Sequence, residues 1–110
     1  MNRKEAITDY KNRKIPRGTF VVRFAENGPV FVDATPDLNA ARNMLLFTLR
    51  NGLHTNRQLQ AEWNTHGEAA FGYEVLEKLD DDLEPMTWRD LLKDKRKEWI
   101  EKLGAVSITP

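Results

Sequence analysis

The sequence contains no cysteine, which excludes disulfide staples and thiolate metal sites and leaves a reducing compartment open. It has no excess charge of either sign. Its 17 basic and 17 acidic residues balance within 110, so the uniform positive field of a dedicated polyanion binder is missing. No apolar run approaches the ~20 residues of a membrane span. The charged start MNRKEAITDYKNRK lacks the apolar centre a signal peptide requires. A soluble, cytoplasmic protein that makes no membrane contact is therefore expected. Repeats and low-complexity linkers are also absent, and the length suits one domain with a single core.

The charge that is present is unevenly placed. Residues 1–24 carry a net charge of +5 and residues 68–90 a net charge of −6, which predicts a basic face and an acidic face. Along the chain, Ala6, Ile7 and Tyr10 have helical spacing within 2–13, and Pro16 closes that segment. In TFVVRFA, Phe20, Val22 and Phe24 alternate with Val21, Arg23 and Ala25, the period of a strand. Asn27-Gly28 is a two-residue hairpin signal that calls for positive φ, and VFVDA, residues 30–34, is the return strand.

Thr35 as cap, Pro36 at the first position and Asp37 near the positive dipole end start a helix that runs to about Asn51, where Gly52 stops it. Its stripe is Leu38, Ala41, Leu45 and Leu49, widened by Met44, Leu46 and Phe47. A second helix spans about 56–66, a third strand 71–79, and a last helix begins at a capping-box-like Thr87/Asp90 pair and runs to Leu103. The acidic run 80–85 has no calcium-loop pattern around it. AVSIT is either a short closing strand or a loose tail. These elements predict an α+β fold, a small three-stranded antiparallel sheet made of a β-hairpin plus one later strand and flanked by helices. The expected domain organisation is an N-terminal helical segment at 1–15, a domain at 16–103 and a C-terminal tail at 104–110.

Over residues 16–103 the chain resembles the GIY-YIG nuclease superfamily. Gly18-Thr19-Phe20 stands for the first motif, Asn27-Gly28 for the turn, and Phe31-Val32-Asp33 for the second motif. The run Leu49-Arg50, Gly52, His54, Asn56, Leu59-Gln60, Trp63-Asn64, Gly67 and Phe71 is similar to a frequent run in one branch of that superfamily. The resemblance implies a site built from two Tyr, an Arg, a His and a metal-binding Glu. Those positions fall on Phe20, Phe31, Ala41, Leu45 and Arg96, and the second-motif Gly falls on Asp33. Phenylalanine cannot hold or take a proton, and a guanidinium repels a divalent cation, so no catalytic residue and no metal ligand is expected.

Three functions stay open. The first is a nuclease-like protein with a degenerate site that binds nucleic acid through Arg42, Arg50, His54, Asn56, Arg57 and Arg96, because arginine pairs with phosphate without a metal. Against it stand simpler readings in which Asn56 caps a helix and Arg50 complements a helix end. The second is a protein-interaction module, favoured by zero net charge and the acidic segment, with Trp63, Trp88 and Trp99 as anchors or as core. The third is an atypical metal-dependent DNA endonuclease, the one case that calls for magnesium.

Overall fold

The computed structural model describes residues 15–79 and 83–109. The helix expected at 2–13 and the aspartates 80–82 lie outside the described residues. Strand β1, Gly18–Arg23, pairs antiparallel with β2, Val30–Thr35, placing Val22 opposite Phe31 and Phe20 opposite Asp33. On its other side β1 pairs antiparallel with β3, Gly72–Lys78. Helix α1 is Leu38–Arg50, α2 is Arg57–His66, and a short 3-10 turn at Glu68–Ala70 leads into β3. Helix α3, Pro85–Leu103, is followed by the two-residue strand β4, Val106–Ser107.

The sheet corrects the sequence expectation in one respect. It has four strands in the order β3-β1-β2-β4, and β4 lies parallel to β2. The sheet is therefore mixed, and AVSIT takes the strand alternative. Ile108 is 5% exposed, and its N–H donates to Val32 O at 3.1 Å. Burial of this one residue supplies the local reason for the strand, since covering an isoleucine contributes roughly 1.5–3 kcal/mol.

Strand periodicity builds two cores. Phe20, Val22, Phe24 and Phe31 face Leu38, Leu45 and Leu49 of α1, Leu59 and Trp63 of α2, and Ile108. The alternate residues Val21 and Val32, 1% and 0% exposed, lie on the opposite face, where α3 contributes Leu92. Phe24 and Phe71 make edge-on contacts with the Trp63 ring, so this tryptophan is core. Trp88 and Trp99 are half-buried, and Trp99 Nε1 donates to Glu77 Oε1 at 3.1 Å.

Local starts and turns depart from the sequence reading for identifiable reasons. Asn27 and Gly28 do not take positive φ. Pro29 restricts the residue before it to extended backbone, and the turn forms one step earlier, with Gly28 N–H donating to Ala25 O at 3.2 Å. Thr35 does not cap α1. Its hydroxyl oxygen accepts from Asp37 N–H, and Asp37 becomes the cap, its carboxylate accepting from Ala40 N–H at 3.0 Å. Helix α3 starts at Pro85 rather than Thr87, using proline's fixed φ at a position where no N–H is needed. Met44 and Phe47, expected to widen the apolar stripe of α1, are 62% and 60% exposed. Asn56 caps α2 as expected, its Oδ1 accepting from Leu59 N–H at 3.0 Å.

Candidate functional site

One concavity opens between α1, the end of β2 and the segment after β4. It has a volume of about 290 Å³, and its walls include Phe20, Asp33, Leu45, Met44, His54 and Thr109. The residues at the resemblance-derived catalytic positions gather here or in the core beneath. Phe20 and Leu45 are 3% and 5% exposed and line the cleft, and Ala41 lines it as well. Phe31 is fully buried in the core.

Its charged element is a three-member bridge. Arg96 Nη1 lies 3.0 Å from Thr109 Oγ1, to which it donates, and 3.7 Å from Asp33 Oδ1. Thr109 in turn donates to Asp33 Oδ1 at 3.2 Å, and Ala34 N–H donates to the same oxygen at 2.8 Å. Burial raises the Asp33 pKa above its ordinary value, and these donors and the guanidinium pull it back. Thr109 falls within the span read from sequence as a tail. Its contribution was invisible there because it depends on β4 bringing the chain back beside β2.

The Arg96 guanidinium, 3.7 Å from Asp33 Oδ1, opposes a divalent cation at this carboxylate. Magnesium sites draw on one or two carboxylates with open oxygens and substrate phosphates. Here Asp33 Oδ1 accepts from the Thr109 hydroxyl and is ion-paired with the Arg96 guanidinium at 3.7 Å, and both contacts fall on that one oxygen. Among the described residues no group of three or more His, Asp or Glu side chains converges.

Tyr73, read from the sequence only as a residue of the third strand, is the phenol that the described residues bring to this face. Its ring stacks on Phe20 with centroids 5.0 Å apart, and its hydroxyl donates to Leu38 O at 2.8 Å. Burial pushes its pKa up to about 12. It therefore keeps its proton, and that proton is already committed to a carbonyl.

The six residues expected to contact nucleic acid have separate settings. Arg50 forms a two-pronged pair with Glu68, at 2.6 and 3.0 Å. Besides capping α2, Asn56 uses Nδ2 to donate to Ser107 O and Ile108 O, at 3.3 and 3.0 Å. Arg96 belongs to the Asp33 bridge. Arg42 and Arg57 are exposed, and Arg42 acts electrostatically on Tyr73 at the β3 side of α1.

His54 lines the cleft, and its Nδ1 accepts from Asn56 N–H at 2.9 Å. Burial lowers its pKa. The folded value thus lies below the unfolded value of about 6.5. Its contribution to stability is present above the unfolded value and is lost as pH falls through the folded one. The expected result is a lower urea midpoint at pH about 5.5 than at pH about 7, with a smaller difference in His54→Gln. An equal difference in both proteins would remove His54 from the account.

No family model and no curated relative matches the sequence. The fold itself is shared with solved proteins and is GIY-YIG-like. Over 86% of this chain it superposes on 99% of the catalytic domain of the homing endonuclease I-TevI, with a TM-score of 0.70 and 23% identity. A point mutant of the same intron-endonuclease domain gives a TM-score of 0.68 at 23% identity, covering 82% of this chain and 86% of that one.

Proposed function

We propose that this chain is a recognition domain of GIY-YIG-like fold that binds nucleic acid without cutting it. The observation that carries the reading is the content of the cleft, of the core beneath it and of the charged bridge at its edge. Phenyl rings, a methyl and an isobutyl group occupy the positions where the resemblance calls for Tyr, Tyr, Arg and His, and Arg96 is tied to Asp33 where it calls for a metal-binding Glu. Phosphodiester hydrolysis needs a nucleophile made by proton removal. It also needs positive charge on the developing oxyanion, usually from a metal. Phe20 and Phe31 offer no titratable proton, and Tyr73 holds its own. The solved proteins of like fold are endonuclease domains, which makes nucleic acid the first ligand class to test.

Supercoiled plasmid incubated with the homogeneous protein and magnesium or manganese is expected to show no nicking above buffer. Metal-dependent nicking that disappears in Asp33→Ala would instead establish the atypical endonuclease reading.

A second reading, a protein partner, is favoured by a separate feature. Met44, Phe47 and Leu53 are each at least 60% exposed beside the cleft mouth. None of the described helices is long and apolar enough to cross a membrane.

A further inference from the structure

A second groove lies between α3 and the connection from β2 to α1, with a volume of about 440 Å³. Its walls are apolar at Pro36, Trp88 and Leu92 and cationic at Arg89, Lys93 and Arg96. The zero net charge of the chain hides how sharply α3 sorts its charges. Arg89, Lys93, Arg96 and Lys97 fall at i, i+4, i+7 and i+8, within about 100° of the helix surface at about 100° per residue. Asp90, Asp94, Glu98 and Glu101 take the adjoining sector, and Lys95 and Lys102 lie beyond it. Arg89 and Lys93 are exposed, and neither forms a salt bridge with another described residue.

We propose that this groove binds single-stranded nucleic acid, with Arg89, Lys93 and Arg96 on nearby phosphates of one strand and Trp88, Leu92 and Pro36 against the bases. The inference deepens the nucleic-acid reading above and rests on it. Arg89 and Arg96 lie about 10 Å apart along α3, and one stacked strand carries a charge about every 3.4 Å of axis, so the three cations would meet phosphates within a run of about four. A few phosphates therefore suffice to engage all of them. Complementary charge selects an anion. The apolar floor of Pro36, Leu92 and Trp88, whose ring also meets the Arg17 and Arg89 guanidiniums at 4.5 and 5.4 Å from its centroid, selects an anion with flat, partly apolar groups, and unpaired bases are such groups. A duplex keeps its bases inside and would leave that floor uncovered.

The test is fluorescence anisotropy of a short labelled oligothymidylate, with a duplex of equal length and an oligoglutamate competitor. Three phosphate contacts predict a log–log salt slope of roughly −2 for a single strand, an affinity loss of roughly 20-fold between about 50 and 200 mM salt. The double variant Arg89→Ala/Lys93→Ala removes two exposed cations. Its melting curve reports retention of fold, its affinity is expected to fall at least tenfold at low salt, and its slope to shrink to roughly −0.7. If the loss follows Arg42→Ala/Arg57→Ala instead, or if the duplex binds more tightly than the single strand, the groove assignment is overturned while the nucleic-acid reading stands. If neither form binds at low salt, that reading fails as well. Oligoglutamate competing as well as the oligonucleotide would make the groove a site for acidic peptides and overturn the proposal.

Discussion

Removing residues 105–110 is expected to lower the unfolding free energy by roughly 4 kcal/mol and the melting temperature by roughly 15–30 °C, at about 4–8 °C per kcal/mol for a chain near this size. The segment is short, but three contributions converge on it. Ile108 is buried among the residues that join the sheet to α1 and α2, and deleting such a side chain costs about 2–5 kcal/mol through lost transfer energy and the cavity left behind. Asn56 loses two carbonyl acceptors and Val32 O loses its donor, at roughly 1 kcal/mol for each buried bond. Arg96 and Asp33 lose the threonine that joins them. Ile108→Ala alone is expected to show more than half of the loss in a urea titration. A truncated chain that melts with the full one would mean that β4 contributes nothing to the core.

That segment also marks where the sequence stopped being informative. The hairpin, α1, α2 and β3 are local: each is written in a period of apolar residues, a cap or a glycine, and each lies within a few residues of its expected place. Asn56 as the cap of α2 is the clearest instance, because a side chain that accepts from an N–H three residues on needs no tertiary context. Two residues of AVSIT cannot announce a strand, since what stabilises them is a parallel partner some 75 residues earlier. The same limit applies at the cleft. The resemblance picked out Phe20, Ala41, Leu45 and Arg96, and all of them border the cleft or its charged bridge. It gave no sign that Thr109 would bridge Arg96 to Asp33, or that Arg50 would be neutralised by Glu68. Pairing between distant side chains leaves no periodicity to read. The charge sorting along α3 is helical spacing alone, yet the charge sums of residues 1–24 and 68–90 did not reveal it, and its meaning depends on which sector of the helix faces the groove.

Gly18→Ala is expected to be the most damaging conservative substitution in the described chain, costing at least 4 kcal/mol or preventing folding. Gly18 opens β1 at φ +159, and a Cβ there would sit 1.9 Å from Glu77 O, with Glu77 C and Lys78 Cα each 2.9 Å away. All three atoms are backbone, so no side chain can rotate aside. Gly18 pairs with Lys78, and the register between β1 and β3 shifts just beyond it, between Thr19 and Phe20. Relief would require β3 to move away from β1, the central strand, which also carries β2. Gly104→Ala is the control. Its φ is +61, but nothing lies within 4 Å of the added carbon, so the cost is that of a left-handed helix cap, on the order of 1 kcal/mol. Comparable melting temperatures for the two variants would refute the close approach. The contrast bears on function because Gly18 stands at the glycine of the resemblance's first motif, two residues before Phe20. The glycine is needed by the sheet whatever the protein does, whereas a hydroxyl at position 20 is needed only for cutting. On the proposed reading, a chain that keeps the first and lacks the second retains the framework of the fold and would not hydrolyse phosphate esters. Restoring the phenol with Phe20→Tyr is accordingly expected to leave plasmid uncut, since Arg96 still stands where a metal would be held.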